Sequence, residues 1–344
     1  MNDFLTEGFF LVRKGESKDA FEKKKFKITL PKDNEVLIEV EAFGLNYADI
    51  MARRGLYRDA PPLPCIIGYE VVGTIIRIGP KVNKSKLGQR VIAFCRFGGY
   101  AKHVITYDDA SVIVGSQPAS SLMALCTQGV TAFYMSESLI SINKLDKVLI
   151  HSAAGGVGSI LIQLVKLKGA YVVAKVGSRE KESLVKELGA DFVVNYNEGD
   201  YIKKIKEKFA QSSLDIVYNP VGGKTFKRDF SLLGSGGRIV LFGAAELSKG
   251  KMGIISKLNF LLKMGFVLPI SLMIKSKNIL GVNMLKIAED KPEVILFCLQ
   301  EIFKLYVEGK IKPQVGGVYN TNQLAEAHHA LEGGQTAGKL VITW

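Results

Sequence analysis

The sequence predicts an α/β protein in which an antiparallel, partly barrel-like β domain precedes a doubly wound, parallel six-stranded sheet, and three observations lead there. From about residue 145, short β-branched runs alternate with longer segments of helical character, the mark of βαβ units. Residues 1–125 carry instead short alternating runs, such as 35–41 and 71–77, broken by turns rich in Gly, Pro and Asn. The 344 residues, 47% hydrophobic and 23% charged, suffice to bury the cores of about two domains.

The sheet's strands read, in order, as 148–150, 171–176, 192–194, 215–218, 238–242 and 278–282. Between them, 159–168, 179–188 and 201–209 have the length and patterning of crossover helices. Only the fifth-to-sixth connection, 243–277, is unusually long. Past the sheet, 292–308 is expected to be a helix, and 339–343 a final strand that rejoins the N-terminal domain. The implied division is 1–128 with 286–344 for the first domain and 129–285 for the second.

Composition narrows the class. Thirty-five Gly with 10 Pro and no dominant repeat exclude collagen-like, low-complexity and solenoid architectures. The formal charge of +13 favours anionic partners: a phosphate-bearing cofactor, an acidic membrane surface or nucleic acid. Cys65, Cys95, Cys126 and Cys298 are too dispersed for a zinc ribbon or a disulfide framework, and are expected as reduced, mostly buried thiols. No signal-like start is present, so a cytoplasmic location is expected. No zinc finger, aromatic RNA platform or basic recognition helix is evident, and nucleic-acid binding is not expected.

The strongest motif is the run 148–158, in which an apolar strand enters Ser152-Ala-Ala-Gly-Gly-Val-Gly158 and then a helix. The spacing is A-x-G-x-x-G: Ala153 takes the first glycine place, and Gly155 and Gly158 the later two. Gly155 and Gly156 let the backbone approach a pyrophosphate, the helix amides supply donors, and Gly158 permits close helix packing. A tight turn without a ligand is the plain alternative, but strand, turn, helix and second strand fall in order for dinucleotide binding at Ala154, Gly155, Gly156 and Val157.

A ribose without a 2′-phosphate usually meets a carboxylate about 20 residues after the turn. Here the strand ends in Gly177, Ser178 and Arg179, followed by Lys181. A hydroxyl and two cations suit a 2′-phosphate, so NADPH is the expected cofactor. Arg179 and Lys181 as solvated helix residues, with Glu180 serving a ribose, is the alternative.

With these residues in view, the chain resembles the medium-chain dehydrogenase/reductase superfamily, in its zinc-free quinone oxidoreductase, zeta-crystallin-like branch. Within it the synaptic vesicle amine transport protein subgroup is nearest. The resemblance is carried by the segments 44–57 and 62–70, the Ala-Ala-Gly-Gly-Val-Gly turn, Asn219-Pro-Val-Gly-Gly223 and Gly309-Lys-Ile-Lys-Pro313. It implies a GroES-like domain followed by a Rossmann domain. Relatives with catalytic zinc carry Cys at the position of Asn46 and His at that of Tyr69; both ligands are missing, as is the four-cysteine structural lobe.

The resemblance also implies an activity: hydride transfer from NADPH to a quinone or an α,β-unsaturated carbonyl, with Asn46 and Tyr57 donating hydrogen bonds to the acceptor carbonyl. Met51, where several quinone reductases have a second Tyr, departs from the pattern. Further cofactor contacts are implied at Thr131, Gly177, Ser178, Lys181, Tyr196, Phe242, Gly243 and Asn283. Lys339 would add charge, and Asn219 stands where the family often has Asp. Asp49 and His151 are expected to be structural, and a homodimer through the sixth-strand edge is expected.

Between Leu247 and Lys277 stand six lysines and no acid. On a helical wheel Ile254, Ile255, Leu258, Leu262 and Phe266 share a face, Lys257, Asn259 and Lys263 lie outside it, and Phe260 and Met264 interrupt the polar side. A pocket wall or dimer-contact helix is expected, with contact to an anionic bilayer as the alternative and a weakly catalytic, membrane-associated or scaffolding protein as its functional counterpart.

Overall fold

The computed structural model describes residues 3–209, 213–248 and 254–344, without the side chains of 248 and 254–257. The chain divides into two compact units, Met1–Thr131 with Leu285–Trp344, and Ala132–Met284.

The first unit opens with an antiparallel hairpin of β1 (Phe4–Leu11) and β2 (Phe21–Ile28). The long strand β3 (Glu35–Leu45) then leads through Asn46 into helix α1 (Tyr47–Arg53). Strands β4 (Glu70–Ile78), β5 (Arg90–Phe94), β6 (His103–Tyr107) and β7 (Ser111–Ile113) follow. Alternating apolar residues of β3 and β4 supply the core, in which Val36, Ile38, Val40, Val71 and Ile75 are fully buried.

The second unit holds the βαβ series. In chain order these are β8 (Lys147–Ile150), α2 (Gly156–Leu167), β9 (Tyr171–Val176), α3 (Arg179–Glu187), β10 (Phe192–Asn195), α4 (Tyr201–Phe209), β11 (Leu214–Asn219), α5 (Lys224–Leu232) and β12 (Leu233–Leu241). Helices α6 (Ile254–Met264) and α7 (Pro269–Lys275) precede β13 (Asn278–Gly281). All pairings are parallel in the order β10-β9-β8-β11-β12-β13, the doubly wound arrangement read from the sequence. Strands buried on both faces need continuous apolar runs, and Val148, Leu149, Ile150, Val172, Val173 and Ala174 are fully buried.

The chain then returns to the first unit through α8 (Pro292–Val307), β14 (Val315–Asn320), α9 (Leu324–Gly333) and β15 (Lys339–Thr343). The expected rejoining of the tail is observed: β15 pairs antiparallel with β3, Val341 opposite Gly44, in a sheet ordered β14-β15-β3-β4-β5-β7 with β6 on β3.

The long connection packs on its own domain through the narrower apolar pair of α6. Ile254, Ile255 and Lys257 lie outside the described side chains, but Leu258, Leu262 and Phe266, the rest of the face expected to be covered, are exposed, Phe266 at 99%. The residues that interrupted the polar side are the ones that pack. Phe260 lies against Gly222, where a Cβ would stand 2.9 Å from its ring, and Met264 Sδ accepts from Gly223 N at 3.0 Å. The i, i+4 pair Phe260 and Met264 thus seats α6 on the turn after β11, which leaves the broader apolar face outward.

Candidate functional site

In the first unit, three adjacent strands converge at the start of α1. Asn46 donates through Nδ2 to Glu70 Oε1 at 2.8 Å, and its Oδ1 accepts from Lys339 Nζ at 2.8 Å. Lys339 Nζ also forms an ion pair with Glu70, whose second oxygen accepts from Thr127 N. Glu70 and Lys339 are fully buried. Their contact depends on Gly44, where a Cβ would stand 2.4 Å from both Glu70 Oε1 and Lys339 Cε. The Lys339 ammonium is enclosed between Glu70 and Asn46, because two buried charges persist only when paired.

Asn46 N donates to Asp49 Oδ2 at 2.8 Å, fixing the helix start. Burial lifts the Asp49 carboxyl to about 7. Tyr57 is partly buried, its ring 6.3 Å from that of Tyr69 in an edge contact, and Tyr69 packs on Phe97 at 5.2 Å. Burial pushes both phenols upward, so Tyr57 remains a neutral O–H donor through neutral pH. Thr131 is buried and donates to Thr127 O at 2.6 Å.

In the second unit, the expected cofactor residues gather at the C-terminal ends of the parallel strands, where open α/β sheets bind ligands. Gly155 caps α2, and the first helix amides, those of Gly156 and Val157 among them, have no intrahelical acceptor. Gly158 is required by contact: a Cβ would lie 2.4 Å from Ser152 O and 2.7 Å from Ala153 Cα. Ala154 is buried behind the turn.

At the end of β9, a Cβ on Gly177 would meet Tyr196 Oη at 2.3 Å, so the phenol lies across the glycine, and Asn197 Nδ2 donates to Gly177 O at 2.6 Å. Ser178 caps α3. Lys181 is partly buried, which lowers its pKa, while Arg179 extends into solvent at 84% exposure and binds Glu198 Oε1 through Nε at 2.8 Å. A hydrogen bond from Ser178 holds the Glu180 carboxyl below its ordinary value. Phe242 and Gly243 follow β12, with Gly243 tight against Pro220 O, and Asn283 follows β13.

Asn219 departs from its expected role. Its Oδ1 accepts from Val221 N at 2.7 Å and Gly222 N at 2.9 Å, and its Nδ2 donates to Thr225 Oγ1 at 2.9 Å and to Asp229. Fully buried, the side chain shapes the turn and presents nothing to a ligand. The carboxylate comes from Asp229 on α5, which lies 2.9 Å from His151 Nε2 and accepts from Tyr201 Oη at 2.7 Å. Lys175 completes the group, 3.3 Å from His151 Nδ1 and 3.7 Å from the Tyr201 ring centroid. Burial lowers His151 and brings Lys175 down to about 8. Glu70, Lys175, Tyr201 and Asp229 were not singled out from sequence; Lys175 alone leaves a local signal, a charge inside the apolar run 171–176.

The family model for the "Alcohol dehydrogenase GroES-like domain" matches residues 32–136, and that for "Zinc-binding dehydrogenase" matches residues 156–300. Quinone oxidoreductase 1 of Escherichia coli is 30% identical over 318 residues, 91% of this chain and 92% of that protein. The human synaptic vesicle membrane protein VAT-1 homolog is 28% identical over 314 residues, 91% of this chain and 79% of that protein. Among solved structures, E. coli quinone oxidoreductase complexed with NADPH superposes with a TM-score of 0.85 at 27% identity, covering 98% of this chain and 100% of that one.

Proposed function

Since the chain belongs to the quinone oxidoreductase family of the medium-chain dehydrogenases/reductases, we propose that it is an NADPH-dependent, zinc-independent reductase of quinones or α,β-unsaturated carbonyls. The observation that carries this reading is the end of β9. There a hydroxyl, Ser178, which in this structure is bonded to the Glu180 carboxylate, and a partly buried ammonium, Lys181, stand at the place where the ribose is bound in such folds. They suit a 2′-phosphate, with Tyr196 flanking the adenosine half and the amides of Gly156 and Val157 taking the pyrophosphate. The nicotinamide, when bound, supplies the hydride.

For the acceptor, Tyr57 offers a phenol that burial keeps protonated, and Asn46 retains one Nδ2 hydrogen beyond that given to Glu70. Both are suited to stabilise charge developing on a carbonyl oxygen. Zinc-independence is supported by the donor chemistry at the same place: an amide, a protonated phenol at Tyr69 and a carboxylate already paired with an ammonium offer no tetrahedral set of deprotonated ligands.

Calorimetric titration with NADPH and NADH, repeated after extensive chelation, tests this reading. Tighter binding of NADPH, unchanged by the chelator, is expected. Preference for NADH would contradict the assignment of Ser178 and Lys181.

A further inference from the structure

Lys175 is buried near the end of β9, two positions before Gly177 and therefore on the same face of the strand. Tyr196 touches both residues. Its hydroxyl covers Gly177, and its ring centroid stands 5.4 Å from Lys175 Nζ. That ring is 47% exposed, so one half-exposed phenol bridges the buried ammonium and the strand end. His151, just past β8, and Tyr201 of α4 enclose Nζ from below, at 3.3 Å from the imidazole and 3.7 Å from the phenol centroid. The carboxylate of this cluster is committed elsewhere: Asp229 Oδ1 accepts from Tyr201, and Oδ2 accepts from Asn219 with His151 Nε2 at 2.9 Å. Among the described residues no carboxylate pairs with Lys175 directly. Lys224 and Arg228 of α5 add charge of the same sign, and Asp200, before α4, is paired with Arg228. The ammonium is thus buried with its charge only partly neutralised, and its pKa falls to about 8.

We propose that Lys175 joins Lys181 as a specificity-determining cation of the 2′-phosphate site, acting from behind Tyr196 without touching the nucleotide, and that the arriving phosphate draws a proton onto it. This role rests on the NADPH reading of the β9 end proposed above and gives that site a dependence on pH. An anion beside a buried ammonium favours its charged form, and a protein interior screens such a pair far less than water does. Bound phosphate therefore raises the Lys175 pKa from about 8, while a nucleotide without the phosphate leaves it nearly where it was. By linkage, a rise of about one unit is a roughly tenfold preference for the phosphorylated nucleotide. That preference is full below pH 8, where Lys175 already holds its proton, and declines above it, where binding must recruit the proton from solvent. The neighbours of Nζ do not titrate in this window: burial lowers the imidazole of His151 and raises the phenol of Tyr201.

The test is calorimetric titration of the full chain with NADPH and with NADH at about pH 8.5, in buffers of different ionisation enthalpy, which counts the protons taken up on binding. The 2′-phosphate, with a second pKa of about 6, is already fully ionised there and contributes none. Uptake of about half a proton is expected with NADPH, the value for a pKa that rises by about one unit, and essentially none with NADH. Lys175→Met should abolish the uptake and weaken NADPH roughly tenfold at neutral pH with NADH unchanged. Lys175→Arg, charged at every pH used, should retain the preference for NADPH while taking up no proton, which a merely structural lysine would not predict. Uptake that persists in Lys175→Met, or equal proton counts for the two nucleotides in a protein that still prefers NADPH, would overturn the proposal and leave the cofactor assignment standing. Preference for NADH would overturn both.

Discussion

Lys339 Nζ donates to Asn46 Oδ1 across 2.8 Å, joining the first residue of the last strand to the residue that opens α1, 293 positions earlier. With Glu70 it forms a buried cation, carboxylate and amide that hold one another, so the orientation of the Asn46 amide is set by the C-terminal strand. Removing the ammonium leaves the Glu70 charge buried and unpaired. Lys339→Met is expected to cost about 3–5 kcal/mol in chemical denaturation. Adding Glu70→Gln should recover part of that loss, and a strictly additive double variant would contradict the coupling.

Gly158→Ala drives a methyl against the backbone oxygen of Ser152. A loss of about 1–3 kcal/mol in stability is expected, since backbone must move to relieve the clash, together with weaker NADPH binding. Gly281→Ala, with open space around it, serves as the control and should leave both quantities unchanged.

The two cations after β9 are unequal. Lys181 is partly buried beside the strand end, whereas Arg179 is turned to Glu198 in solvent. Lys181→Ala is expected to weaken NADPH by roughly 10- to 100-fold, the worth of a charged hydrogen bond, without affecting NADH. Arg179→Ala should change either affinity by much less. Equal losses for both nucleotides in Lys181→Ala would remove the residue from the 2′-phosphate.

Stability should depend on pH through Lys175. Burial brings its folded pKa to about 8 against an ordinary 10.5. Between these values the unfolded chain holds a proton that the folded chain has released, so stability rises with pH through that window. The full cost, on the order of 3 kcal/mol, applies below pH 8. Lys175→Met should flatten the profile between pH 8 and 10.5; an unchanged slope would assign it to other groups.

The parts that sequence made legible are those encoded by local period. The six strands of the parallel sheet and the Gly155 to Gly158 turn need only neighbouring residues for their recognition, and they stand where the alternation puts them. Long-range clusters were not legible: Glu70 and Lys339 meet only once β15 lies beside β3 and β3 beside β4, and no spacing announces that closure. Asn219 misled for a related reason. The carboxylate that would be sought at the strand end is supplied ten residues later by Asp229, from a helix that folds back over the turn. In α6 the helical period was legible, but the contact with the turn after β11 was not, because it is made by Phe260 and Met264, which match the glycines at 222 and 223.

The central claim, a reductase that takes hydride from NADPH to a conjugated carbonyl without metal, is tested most directly by following NADPH absorbance with a panel of quinones and enones in the presence of a chelator. Turnover with at least one acceptor class is predicted, with NADPH preferred over NADH and a marked loss in kcat for Tyr57→Phe. Tight NADPH binding with no oxidation by any acceptor, or oxidation abolished by the chelator, would contradict it.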